Sequence, residues 1–143
     1  MINTDVLIIG GGFAGVGTAQ DLAKNGIKST LVDKKDYFEV TFANLRNLTD
    51  PSKNKNRARK HFKEVLKSDF IQTSVNTLND QEAELSNGDI IKFKRAIIAS
   101  GTRYPSMSVA KSNHALTLEK RNQEVVEQHN KLQDAASVLV IGG

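Results

Sequence analysis

Glycines at positions 10, 12 and 15 directly follow the apolar run Asp5-Val6-Leu7-Ile8-Ile9, a spacing that brings a backbone against a diphosphate. Gly10 permits a tight turn out of a strand, Gly12 leaves no side chain between backbone and phosphate, and Gly15 lets the next helix pack closely on the sheet. That helix begins with roughly half a positive charge from its aligned peptide dipoles, which suits a doubly anionic diphosphate. An acid completes the pattern. Asp33, 23 residues after Gly10, ends a second apolar strand, Ser29-Thr30-Leu31-Val32. An acid there accepts hydrogen bonds from a ribose 2′-hydroxyl and repels a 2′-phosphate. A plain strand-to-helix turn followed by a solvated aspartate is the alternative reading of the same residues.

The elements that must position these groups follow from periodicity. The helix is predicted from Ala14 to about Lys24, with Val16, Ala19, Leu22 and Ala23 on its inner face and Gly26 ending it. Lys34 to Asp50 is less regular and carries Tyr37, Phe38, Phe42 and Arg46. Pro51 and Ser52 then introduce a predicted helix to about Lys67, with Ala58, Phe62, Val65 and Leu66 spaced for one buried face. Phe70 to Val75 reads as a strand. Ala83-Glu84-Leu85-Ser86 and Asp89-Ile90-Ile91-Lys92-Phe93 flank Asn87-Gly88, the pair preferred in type I′ hairpin turns.

Ala96-Ile97-Ile98-Ala99 has the uninterrupted apolar character of a buried parallel strand and ends in Ser100-Gly101-Thr102. A helix is expected from about Leu118 to Asp134, with Val125, Val126, His129 and Leu132 near one face. Ser137-Val138-Leu139-Val140-Ile141 is expected as a strand running into Gly142-Gly143, so the ending repeats the opening. It reads either as the first half of a second dinucleotide motif or as a plain strand added to the main sheet.

Composition narrows the class. The 143 residues suit one ordinary globular domain, no apolar run approaches the roughly 20 residues of a spanning helix, and the first strand starts too near Met1 for a cleavable signal. A cytosolic location, or one facing the cytosol, is the expectation. The chain has no cysteine, which excludes disulfides, cysteine metal sites and a thiol relay among these residues. The formal charge of +4 is concentrated in Lys53, Lys55, Arg57, Arg59, Lys60 and Lys63. Without an aromatic stacking series this run reads as a solvated helix face, not as a nucleic-acid site. His61, His114 and His129 lack metal-ligand spacing, Glu82 and Glu84 read as a solvated strand face, and Asp36 as a turn residue. Tyr37, Phe38 and Phe42 suit core packing or the lining of a cofactor pocket.

With both ends and the middle strand in view, the chain resembles the pyridine nucleotide-disulfide oxidoreductase superfamily, flavoproteins with two dinucleotide-binding domains. Leu31-Val32-Asp33-Lys34-Lys35-Asp36-Tyr37-Phe38 and Asn44-Leu45-Arg46 are similar to the apoptosis-inducing-factor-like, ferroptosis-suppressor-like branch, with type II NADH dehydrogenases more distant. The resemblance implies an α/β, Rossmann-like FAD/NAD(P)-binding domain with a parallel sheet and an inserted β-hairpin, cut at the start of a second dinucleotide-binding unit. Residues 1–110 would be the N-terminal portion of the FAD-binding domain. Residues 111–143 would be a connecting helix and the first strand of an incomplete NAD(P)H-binding domain.

By that resemblance Gly10, Gly12 and Gly15 cradle the FAD diphosphate and Asp33 holds the adenosine ribose. Ala99-Ser100-Gly101 stands where the family has Ala-Thr-Gly close to the flavin, and serine keeps the hydroxyl. Arg46 matches an arginine of the suppressor-like branch and could set its cation near flavin or diphosphate; an ordinary surface arginine fits as well. Phe13, Ala14, Lys34 and Val75 complete the cofactor-binding candidates, while no catalytic residue and no metal ligand is assigned. The implied activity of a complete protein passes electrons from NAD(P)H through FAD to a quinone or similar small acceptor, because no cysteine is present for a redox disulfide. The implied setting is cytoplasmic, with peripheral membrane contact and no nucleic-acid partner. The alternative is a non-catalytic remnant that binds FAD or NAD without turnover.

Overall fold

The computed structural model describes residues 1–53 and 55–141, which divide into two compact units. The first comprises Met1–Glu39 and Lys60–Thr102, and the second Val40–Arg59 and the residues from Arg103 onward.

In the first unit the chain runs β1 (Ile2–Asn3), β2 (Val6–Ile9), α1 (Phe13–Lys24), β3 (Ser29–Asp33) and β4 (Tyr37–Glu39). The second unit then takes α2 (Asn44–Thr49) and α3 (Lys55–Ala58), and β5 (Arg59–His61) leads back to the first. There follow α4 (Phe62–Val65), β6 (Asp69–Gln72), β7 (Val75–Leu78), β8 (Glu82–Leu85), β9 (Ile90–Lys92) and β10 (Arg95–Ile98). The long helix α5 (Leu118–Gln133) belongs to the second unit.

Two four-stranded sheets build the first unit. One is parallel in the order β10-β2-β3-β6, and the other runs β1-β9-β8-β7, with β1 parallel to β9 and the remaining pairs antiparallel. Alternation along β2 decides how they pack. Val6 and Ile8 join Val16 and Ala19 of α1, Leu31 and Phe62 in one core, while Leu7 faces the other way and packs with Val32, Ala83, Leu85, Ile91 and Phe93. The parallel sheet thus carries a helix on one face and the hairpin sheet on the other. Each fully buried aliphatic side chain contributes about 1.5–3 kcal/mol. This is the expected α/β, Rossmann-like arrangement with an inserted hairpin.

Several expectations need correction. The helix expected from Ser52 to Lys67 is broken into α3, β5 and α4, so Arg59, read as part of a solvated basic face, is only 3% exposed. The strand expected over Phe70–Val75 divides at Thr73-Ser74 between the two sheets, as β6 and β7. In the hairpin only Gly88, not Asn87, has positive φ (87°), and its N–H donates to the Leu85 carbonyl at 2.9 Å. The connection is therefore a three-residue loop with a left-handed glycine, not a type I′ turn. β10 is parallel as expected but forms the sheet edge, leaving Ile98 68% exposed. Val126 is exposed while Val125 is buried, so the two do not share a buried face of α5. Val138–Ile141 form no strand and lie exposed, and Gly142-Gly143 lie outside the described residues.

The second unit is held largely by polar contacts. Arg121, fully buried, donates to the carbonyls of Ser108 and Val109 at 2.7 and 3.2 Å and pairs with Glu124 at 2.7 Å. Arg59 donates to Asn122 Oδ1 at 2.9 Å and Asn44 Oδ1 at 3.3 Å, and Asn44 Nδ2 to the Ala110 carbonyl at 2.9 Å. The Thr117 hydroxyl accepts from Lys120 N–H and starts α5. A cavity of about 910 Å³ in this unit is lined by Thr49, Asp50, Arg59, Asn122, Val126 and His129 among others, and by none of the glycines.

Candidate dinucleotide site

The site begins where β2 ends. Gly10 has φ 105°, a left-handed conformation that disfavours any side chain, and its N–H donates to the Val32 carbonyl at 2.8 Å. A Cβ on Gly10 would fall on the Ala99 carbonyl oxygen, while the Ala99 N–H donates to the Ile9 carbonyl at 2.8 Å. The end of β10 is therefore laid directly against the turn. A Cβ on Gly15 would fall on the Gly10 carbonyl oxygen, so α1 packs on that turn closer than any side chain allows. Gly12 differs: its Cβ would meet nothing within 4 Å, and the residue is exposed at the N-cap of α1. No side chain caps that helix and no acid occupies its first turn, so its positive end is left for an outside anion.

Asp33 fixes the other wall. Its Oδ2 accepts from Gly11 N–H at 2.7 Å and its Oδ1 from Lys35 N–H at 2.8 Å. A carboxylate has about four lone-pair positions, so each oxygen keeps one for an incoming hydroxyl. The two amides fix the direction in which the remaining pairs point. Beside the loop, Phe13 stands edge-on to Phe38 with ring centroids 5.2 Å apart at 84° and is 53% exposed.

The structure brings together Gly10, Gly12, Phe13, Ala14, Gly15 and Asp33, with Ala99 and Ser100 against Gly10 and Gly101 continuing at φ 66°. Lys34 is exposed, and its carbonyl accepts from Gln72 Nε2 at 3.2 Å. Val75 opens β7, paired with Leu85 and half-buried in the hairpin-side core. Arg46 lies in α2 of the second unit with its side chain exposed. Of the aromatic candidates Tyr37 is core, 2% exposed, and Phe42 is 78% exposed. His61 faces Asp36 at 3.6 Å and His129 Nδ1 lies 2.7 Å from the Leu48 carbonyl; no metal-ligating cluster occurs among the described residues. Sequence reasoning gave Gly11 and Phe62 no role in the site. A Cβ on buried Gly11 would clash with the tip of the Phe62 ring, and no spacing rule signals a contact across 51 residues.

Residues 4–143 match the pyridine nucleotide-disulphide oxidoreductase family. The chain belongs to that family. Members of this family bind FAD and NAD(P)H. Ferroptosis suppressor protein 1 of Xenopus tropicalis is 34% identical over 96% of this chain, and its human counterpart 29% identical over the same share. The chain spans 37% of the length of these relatives. Among solved structures, the sulfide:quinone oxidoreductase of Aquifex aeolicus superposes with a TM-score of 0.68 at 22% identity, over 94% of this chain and 32% of that one. NDH2 from Plasmodium falciparum gives 0.65 at 15% identity, over 92% and 29%. These two likenesses show the fold of the oxidoreductase family.

Proposed function

We propose that this chain is the FAD-binding portion of an NAD(P)H-dependent flavoprotein oxidoreductase that reduces a quinone or similar small acceptor. The observation that carries the reading is the contrast among the glycines: Gly10 and Gly15 are sealed by backbone, whereas Gly12 opens onto space at the bare positive end of α1. A diphosphate fits that opening. Asp33 would take the ribose with the lone pairs that Gly11 and Lys35 leave unused. Ala99-Ser100-Gly101, against the turn, would lie on the flavin side, and the Ser100 hydroxyl could donate to it. Bound FAD supplies two-electron chemistry with a nicotinamide; the residues here bind and orient it.

The quinone acceptor is supported by the absence of cysteine from the chain, which leaves no redox disulfide here, and by a fold neighbour that is itself a quinone oxidoreductase. No helix among the described residues is long and apolar enough to cross a membrane. A second reading is binding of FAD or NAD without turnover, which the open Gly12 position and Asp33 support equally because they bind a nucleotide without requiring a hydride path.

The deciding experiment is an absorbance spectrum of the desalted chain with added FAD, then NADH under anaerobic conditions. Bound flavin that bleaches would show a working hydride path within this chain, and bound flavin that does not bleach would identify an FAD module separated from the nicotinamide-binding part of its reductase. Failure to bind flavin at all would sink the FAD reading and leave the second reading to be tested by titration with NAD.

A further inference from the structure

Phe62 is the least explained residue near the glycine loop. Its ring is 1% exposed, packs on Phe70 with centroids 4.7 Å apart, and presents Cζ, Cε1 and Cε2 to the Cα of Gly11. Its own backbone is fixed as well. The Phe62 N–H donates to the Asp36 carbonyl at 3.0 Å, and His61 caps α4 with Glu64 returning to the His61 N–H at 3.2 Å. Gly11 is therefore held at its N–H by Asp33 and at its Cα by the tip of the Phe62 ring.

From this geometry we propose that Phe62 is a positioning residue for the dinucleotide loop: its ring tip sets where Gly11 lies, and so where the Gly12 backbone and the first turn of α1 meet the diphosphate. The inference rests on the FAD reading above for its ligand, but the lock itself is a property of the loop. Interior packing is dense, so a ring supported by Phe70 and the core transmits position instead of yielding. It also gives a reason for glycine at position 11, which has ordinary φ and touches no phosphate in the usual three-glycine scheme.

The test is a size-complementation pair in the full chain. Gly11→Ala drives a methyl against the tip of the ring and should weaken FAD binding about tenfold or more, the effect of overpacking a dense contact. Phe62→Leu removes the three ring atoms that meet Gly11 while keeping the branched apolar base. In that background Gly11→Ala should recover most of the lost affinity. An equal loss in both backgrounds would overturn the proposal, as would Phe62→Leu lowering the melting temperature with neither FAD affinity nor loop dynamics changed.

Amide hydrogen exchange separates this idea from the FAD reading. Phe62→Leu should speed exchange at the Gly11 N–H relative to hairpin amides of β8 and β9, with or without flavin. If the wild-type chain takes up no FAD yet Gly11 exchange responds, the function fails and the lock stands; if FAD binds and exchange is unmoved, the lock fails alone. Should Phe62→Leu not fold, Phe62→Met, close in volume and flexible at its tip, takes its place with the same readings.

Discussion

The two compact units are held by different physics. In the first, side chains alternate along β2 and β3 and bury apolar surface on both faces of a parallel sheet. In the second, Arg121, 0% exposed, donates to the Ser108 and Val109 carbonyls, while Arg59, 3% exposed, donates to the side-chain oxygens of Asn122 and Asn44. Apolar burial tolerates apolar replacements of similar volume, whereas removing one partner of a buried ion pair leaves the other uncompensated. Single substitutions should therefore hurt most in the polar unit and depend on shape in the apolar one.

The largest effect is expected at Arg121. Arg121→Met leaves the Glu124 carboxylate and the Ser108 and Val109 carbonyls without their donor, and should cost about 3–5 kcal/mol, read as a lower midpoint in denaturant unfolding. A loss no greater than that of an exposed helix residue would erase the contrast between the units. Next comes Gly15→Ala, whose methyl would fall on the Gly10 carbonyl oxygen. Forcing α1 off the sheet should cost about 1–3 kcal/mol by the same measurement. Gly12→Val sharpens the comparison within the loop itself. With open space around it, the variant should stay within about 1 kcal/mol of the parent while losing flavin in a titration, because on the proposed reading its branches would fill the diphosphate site. A folded Gly12→Val chain with unchanged flavin affinity would move the site elsewhere.

The smallest effect concerns Asp5, which lies 2.6 Å from Lys94 Nζ. The Lys94 hydrogen bond and charge hold its carboxyl below 3.8. A depressed folded-state value gives stability that is present above the unfolded value and lost as pH falls through the folded one. Lys94→Met should return the Asp5 midpoint toward 3.8 in an NMR titration and remove that part of the acid response. An unmoved midpoint would mean that other groups set it.

What could be read in advance divides along the same line. Val6-Leu7-Ile8-Ile9, the glycines and Asp33 announce themselves because local spacing and apolar runs encode a βαβ unit directly. The segment from Arg57 to Leu66 did not. Its apolar positions fit a helix, yet Arg59 is claimed by Asn122 and Asn44, partners distant in sequence, and β5 forms where a continuous helix was expected. The break at Thr73-Ser74 was equally hidden, because both sides favour strand and only pairing partners decide that they enter different sheets. In the candidate site, the glycines and Asp33 picked out by spacing are brought together by the fold, whereas the approach of Phe62 to Gly11 was not legible, since a contact between a glycine and an aromatic carries no period.

The position of β2 in the parallel sheet also sets a timetable. Val6 pairs with Ser29 on one side and with Arg95 on the other. By loop-closure scaling the second pairing costs about 1 kcal/mol more in chain entropy than the first, and it waits on a far later stretch of polypeptide. During synthesis the βαβ hook can assemble early, but the Gly10 turn acquires its Ala99 wall only after residue 99 has emerged. Until then one edge of the most apolar strand stays unpaired, the condition in which a nascent chain recruits chaperones or its neighbours. Competence to bind a nucleotide would thus arrive late in folding, although the glycine motif itself lies within the early βαβ hook.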